Sequence, residues 1–181
     1  MPARVIQVLP PQIDLPKMEG EILEFWNRQE IFHKSIAARQ GAPLWTFYEG
    51  PPTANGLPGT HHIEARVFKD LFPRYHTMKG KLVPRIAGWD CHGLPVEIAV
   101  EKELGLNGKS EIEKIAPTVE ESIIEFNDRC RASVLRHVDA FTNMTKRMGF
   151  WVDFEEAYWT MSSEYIESVW WALSEIFKKN L

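Results

Sequence analysis

The chain alternates stretches of helically spaced apolar residues with two short apolar runs. Residues 1–16 are proline-rich and read as an arm laid over a surface. From Met18 to about Arg39, Ile22, Leu23, Trp26, Ile31 and Phe32 recur at roughly helical spacing, and Gly41 with Pro43 closes the segment. LWTFYEG, residues 44–50, is short, aromatic and β-prone, and stops at a Gly-Pro-Pro turn, which predicts a strand. From His62 to about Lys79, Ile63, Val67, Leu71 and Tyr75 repeat every four residues and predict a helix. Pro73 inside it is expected to kink or shift it, and Gly80 is its natural cap. LVPRIAGWD, residues 82–90, predicts a second strand running into the loop CHGLP. Pro95 opens a further helix that Gly105 closes.

After a linker to Pro117, Thr118 and Glu121 form a capping-box pair. They open a long helix with Val119, Ile123, Phe126, Cys130, Val134, Val138, Phe141, Thr145 and Met148 on one stripe, read as core. FWVDFEEAYWTM, residues 150–161, is aromatic and reads as irregular. Ser162 or Ser163 caps a last helix, with Tyr165, Ile166, Val169, Trp170, Leu173, Ile176 and Phe177 expected to face inward.

Strand, loop, helix, repeated, is the start of a parallel α/β sheet. In such sheets ligands sit at the carboxyl ends of the strands. Both unusual loops, PPTANGLPGTHHIE after the first strand and CHGLP after the second, fall there. The division expected is an arm and helix over 1–43 and an α/β unit over 44–181.

Composition narrows the class. The chain has 181 residues, 44% hydrophobic and 25% charged, which suits a domain with a real core. No apolar run is long enough for a membrane span, and no signal-peptide order is present, so a cytoplasmic location is expected. Cys91 and Cys130 make no disulfide framework. A net charge of −4 gives no broad basic face for DNA.

The first loop carries chemistry. A strand running into a Gly/Pro loop and then a helix aims free N–H groups and the positive end of the helix dipole at whatever sits above, which favours phosphate. Gly-rich phosphate-loop signatures are absent, so phosphate binding would rest on the helix end and the imidazoles of His61 and His62. In the second loop, Asp90 stands at a strand end beside Trp89. A carboxylate there holds an ammonium group by a charge-assisted bond; alternatively it caps the next helix, with Trp89 as plain core. A metal site drawn from His61, His62, His76, Cys91 and His92 lacks ligand spacing, so zinc is not expected. Cys91 reads as a small buried hydrophobe.

EGPPTANGLP followed by Gly59-Thr60-His61-His62 resembles the first signature of class I aminoacyl-tRNA synthetases, usually His-x-Gly-His. The last histidine is kept, while glycine and histidine exchange places at the first and third positions. GWDCHGLPVE, residues 88–97, resembles the isoleucyl form of a second segment of that family. The N-terminal helix and the WVDFEEAYWTM region are similar too, from about residue 12 to the chain end.

The resemblance implies the first half of a Rossmann-like catalytic domain, reaching near the start of an editing insertion. It implies catalytic roles for His61 and His62. It also implies ATP contacts from Asn55, Gly56, Gly59, Thr60, His61 and His62, and amino-acid contacts from Pro51, Trp89 and Asp90. The implied substrates are isoleucine and ATP with Mg²⁺, and the implied partner is tRNA(Ile). The family's Lys-Met-Ser-Lys-Ser loop is absent from these residues, so an N-terminal fragment of a longer enzyme, inactive in isolation, is expected. A valyl or leucyl relative, and a non-catalytic nucleotide- or amino-acid-binding module, stay open as alternatives.

Overall fold

Three parallel strands in the order β1-β2-β3 organise the computed structural model, which describes residues 12–181. The elements run α1 (Leu15–Arg28), α2 (Ile31–Ala37), β1 (Phe47–Tyr48), α3 (Thr60–Met78), β2 (Arg85–Trp89), α4 (Leu94–Leu104), α5 (Lys109–Ile112), α6 (Val119–Arg147), β3 (Asp153–Trp159) and α7 (Ser163–Lys178). The α/β class expected from the sequence is the one observed.

The first strand is shorter than LWTFYEG suggested. Only Phe47 and Tyr48 form a regular ladder, opposite Arg85 and Ile86. Pairing nonetheless extends on both sides. The Trp45 N–H donates to the Leu82 carbonyl at 2.8 Å and the Glu49 N–H to the Ile86 carbonyl at 2.9 Å.

The segment read as irregular, 150–161, contains β3. Its register slips against β2: Ile86 faces Asp153, yet Gly88 faces Tyr158 and Trp89 faces Trp159. The extra residues bulge out of the ladder. Asp153 Oδ1 holds that bulge by accepting the N–H groups of Glu155 (2.9 Å) and Glu156 (3.2 Å). A bulge breaks two-residue alternation, which is why the pattern concealed a strand.

The helix expected over Met18–Arg39 is two helices. α1 starts earlier, at Leu15, where the Asp14 side chain accepts the Lys17 N–H. It stops before Glu30, which adopts a left-handed φ of 52°, unusual for a residue with a side chain. The break lets both helices reach one aromatic ring. Trp26 of α1 meets Trp151 edge-on at 5.0 Å, and Phe32 of α2 lies 5.9 Å from the same ring. Residues 1–11 of the expected arm lie outside the described residues.

α3 begins at Thr60, two residues before the expected start, and continues through Pro73. Its stripe of Ile63, Val67, Leu71 and Tyr75 is exposed, while Arg66, Pro73 and Thr77 are buried. α6 buries Phe126, Val134, Phe141 and Thr145 of its expected stripe but exposes Val119 and Ile123. α7 corrects the sequence reading most plainly. It buries nothing: Trp170 is 68% and Phe177 81% exposed. Periodicity reports that a helix has an apolar face, not that another element covers it.

One core cluster joins the strand ends to α4 and α6: Ala54, Trp89, Cys91, Val96, Val134 and Phe141. A second lies lower, around Ala87, Phe150 and Val152.

Candidate functional site

The two loops are tied to one another and to this core. The Asp90 N–H donates to the Pro52 carbonyl at 3.2 Å. Thr53 and Asp90 form an isolated parallel bridge, and the Thr53 hydroxyl donates to Asp90 Oδ2 at 2.6 Å. Ala54 is fully buried among Trp89, Cys91 and Phe141. Pro51 and Asp90 are therefore brought to the same sheet edge.

Asp90 is half-buried. It does not cap α4, whose N-cap Gly93 has no side-chain hydrogen bond. Its Oδ1 accepts a long bond from the His92 N–H at 3.4 Å. The carboxylate keeps lone pairs for another donor. Trp89 lies beneath, 3% exposed, its ring centroid 5.7 Å from Trp159 and 6.1 Å from Phe154. It supports the loop from the core side. Cys91 is also buried, its N–H bonded to Thr160 Oγ1 at 2.8 Å. Burial pushes its thiol above the ordinary value, away from thiolate chemistry.

Beyond Ala54 the first loop rises toward solvent. Asn55 is exposed, and open space lies where a Gly56 side chain would be. Thr60, His61 and His62 form the first turn of α3. The Gly59 N–H donates to His62 Nδ1 at 2.9 Å, so the imidazole caps its own helix. This leaves Nε2 as the proton-bearing nitrogen of the neutral ring. Burial, then the charges of His61 and Arg66, hold His62 below its ordinary value. The His62 ring stands edge-on to Phe141 at 4.9 Å and 3.9 Å from the His61 ring.

The exchange of glycine and histidine has a geometric basis. A Cβ at Gly59 would sit 2.9 Å from His61 Cε1 and 3.0 Å from its Nδ1. The His61 ring folds back over Gly59, into space a side chain at 59 would enter.

Arg66, Lys69 and Glu49 were not singled out by the sequence. His62, Arg66 and Lys69 follow one face of α3 at i, i+4 and i+7, and that spacing was the available signal. Arg66 is 4% exposed, donates to Thr145 Oγ1 at 3.0 Å and lies 5.7 Å from the Phe141 ring centroid. Lys69 Nζ is 2.7 Å from Glu49 Oε1 and donates to the Gly50 carbonyl at 2.8 Å. His76 and His92 do not join the pair: His76 stacks on Trp45 at 4.2 Å, and His92 is exposed beside Asp90. Among the described residues, no group of three or more His, Cys, Asp and Glu side chains is placed to hold a metal ion. No helix among them is long and apolar enough to cross a membrane.

The family model for class I tRNA synthetases (I, L, M and V) matches residues 21–181. This chain belongs to that family. It is 62% identical over 178 residues to the isoleucine–tRNA ligase of Thermobifida fusca, covering 98% of this chain and 16% of that protein. It is 61% identical to the isoleucine–tRNA ligase of Cutibacterium acnes, over 96% of this chain and 15% of that one. The Thermus thermophilus enzyme of the same name is 52% identical, over 93% of this chain and 16% of its own length. The chain thus spans about a sixth of these relatives.

The fold is similar to that of the LeuRS of Agrobacterium radiobacter K84, solved in a ternary complex with tRNA and LeuAMS. The TM-score is 0.60 and the identity 18%, over 94% of this chain and 18% of that one. This likeness shows the synthetase fold, in which three parallel strands with crossover helices form part of a Rossmann-like domain.

Proposed function

We propose that this chain carries part of the activating site of an isoleucine–tRNA ligase. The reaction joins the isoleucine carboxylate to the α-phosphorus of ATP, releases pyrophosphate, and then passes the acyl group to tRNA(Ile). The observation that carries the reading is the junction of the two loops through Thr53 and Asp90, at the carboxyl ends of two parallel strands. The identity to isoleucine–tRNA ligases supports isoleucine over valine or leucine.

In this reading Asp90 receives the α-ammonium, with Pro51 beside it and Trp89 backing the pocket from the core. Asn55, Gly56, Gly59 and Thr60 border the nucleotide. His61 and the Nε2–H of His62 face the phosphates at the α3 N-terminus, where the helix dipole adds positive potential. A neutral imidazole held by its cap donates a hydrogen bond without reorganising as charge grows on the phosphate. Mg²⁺ arrives with the ATP phosphates as part of the substrate; no carboxylate cluster among the described residues fits it. Residues 44–181 form the first half of the catalytic domain, and work in the cytoplasm, where translation proceeds, completes the reading.

The test is isoleucine-dependent ATP–pyrophosphate exchange by the intact enzyme of which these residues are a part, with valine and leucine as comparison substrates; the isolated 181 residues, without the Lys-Met-Ser-Lys-Ser loop, are expected to be inactive. Exchange strongest with isoleucine is the expected result. Exchange strongest with valine or leucine would move the chain to another branch of the family. Binding of ATP with no preference among the three amino acids would leave it a nucleotide-binding module.

A further inference from the structure

Glu49 is a buried carboxylate at the end of β1, 3% exposed, immediately before the amino-acid loop. Nothing in the reaction described above uses it. Its Oε1 pairs with Lys69 Nζ at 2.7 Å, while its Oε2 is buried with no hydrogen-bond partner. Burying a carboxylate is costly unless a cation compensates it closely. Lys69 is that cation, and Arg66 adds favourable charge, since Glu49 works against the loss of charge that burial imposes on Arg66.

The backbone around Glu49 is held from four directions. Its N–H bonds Ile86 of β2, and its carbonyl accepts the Tyr158 hydroxyl of β3. The next carbonyl, Gly50, accepts Lys69 of α3. Two residues on, the Pro52 carbonyl accepts the Asp90 N–H of the second loop. Lys69 reaches both a side chain and a carbonyl of this run. It also rides on the α3 face that carries His62 two turns earlier. The ion pair, formed twenty residues apart in sequence, therefore closes the whole segment from Gly50 to the histidines into a ring.

We propose that Glu49 and Lys69 are positioning residues that lock the Gly50–Pro52 backbone to α3, so that the amino-acid loop and the phosphate-facing histidines move as one body. This rests on the function proposed above for the ligands, but the lock itself is a property of the chain alone. A cation with several donors is needed here, because the Lys69 ammonium serves the Glu49 carboxylate and the Gly50 carbonyl together.

Two readouts separate the lock from the function. The first is amide hydrogen exchange of residues 50–57 in the unliganded chain, compared for wild type, Lys69→Met and Lys69→Arg. Lys69→Met is expected to speed exchange at Gly50, Thr53 and Ala54 at least tenfold while the α4–α6 amides keep their wild-type rates. Lys69→Arg, which keeps a cation and several donors, restores most of the protection. Loop exchange unchanged in Lys69→Met overturns the proposal whatever the chain binds. The second readout is affinity for L-isoleucine and, separately, for ATP. Isoleucine affinity is expected to fall about tenfold in Lys69→Met and to recover in Lys69→Arg. A wild type that binds isoleucine and a Lys69→Met chain that binds it equally well would also overturn the lock. A wild type that binds neither ligand, but whose loop loosens in Lys69→Met, refutes the function and keeps the lock. If Lys69→Met does not fold, Glu49→Gln enters the same two measurements: it keeps the shape and removes the charge.

Discussion

The hydroxyl of Thr53 and the carboxylate of Asp90, 37 residues apart in sequence, meet at 2.6 Å. The bond does two things. It closes the first loop on the second, and it sets the orientation of a carboxylate that would otherwise swing freely at the sheet edge. One carboxylate oxygen is engaged by Thr53, and the other has only the long contact from the His92 N–H.

The charge of Asp90 and the Thr53 bond are separable. Asp90→Asn keeps an acceptor for Thr53 and removes the negative charge. A charged hydrogen bond is worth about 1.5–3 kcal/mol, so isoleucine affinity should fall about 10- to 100-fold. Thr53→Val keeps the charge and frees its orientation, so the loss should be smaller. Calorimetric titration with isoleucine checks both, and equal affinity in wild type and Asp90→Asn would remove Asp90 from the site.

His62 has a structural role on one nitrogen and, in the proposed function, a chemical role on the other. Nδ1 caps α3 through Gly59, and Nε2 is the one free to donate. His62→Asn offers an acceptor near the cap but cannot present a donor at the same reach. His62→Ala should cost about 1 kcal/mol of stability from the lost cap and slow adenylate formation far more than it weakens isoleucine binding. Equal losses in rate and in isoleucine binding would reduce His62 to a helix cap.

Gly88 is the tightest glycine in the sheet. A Cβ there would run into the ring of Tyr158, the residue opposite it in β3. Tyr158 cannot simply retreat, because its hydroxyl bonds the Glu49 carbonyl and its ring stacks on Tyr165 at 5.7 Å. Gly88→Ala is expected to destabilise the chain by about 1–3 kcal/mol through overpacking. Adding Tyr158→Ala should make the cost of Gly88→Ala much smaller. A urea midpoint unmoved by Gly88→Ala would contradict this packing.

Acidification should weaken the fold before the carboxylates titrate. His62 is held below its ordinary value near 6.5 by burial and then by its charged neighbours; His76 is lowered too, by burial and then by Lys81. A depressed pKa means that the unfolded chain binds protons first as pH falls below that value. The stability from the neutral rings is therefore complete above about pH 6.5 and declines below it. The urea midpoint should be lower at pH 5.5 than at pH 7.5, and the difference should shrink in His62→Gln. A midpoint that rises on acidification would reverse the assignment.

Local signals placed the first loop and the start of α3 to within two residues. Gly59 precedes a helix, two imidazoles follow it, and the loop leaves a strand; each of these is a property of neighbours in sequence. The same is true of the Thr118–Glu121 capping box that opens α6, where the Thr118 hydroxyl accepts the Glu121 N–H at 3.2 Å. The Glu49–Lys69 pair was not visible in this way, because nothing local distinguishes a buried glutamate at a strand end from an exposed one.

By itself, the sequence determined the alternation of strands and helices, the two loops at strand ends and the capping of the long helix. These follow from backbone preferences and side-chain spacing within a few residues. Only the tertiary structure decided that Asp153–Trp159 is a third strand, because its bulge hides alternation and its pairing is with β2, more than sixty residues earlier. Only it decided that the helix expected over Met18–Arg39 breaks at Glu30, since the reward is shared contact with Trp151. It alone showed the apolar faces of α3 and α7 exposed. An amphipathic pattern states which side of a helix avoids water, but what that side meets depends on residues far away in the chain.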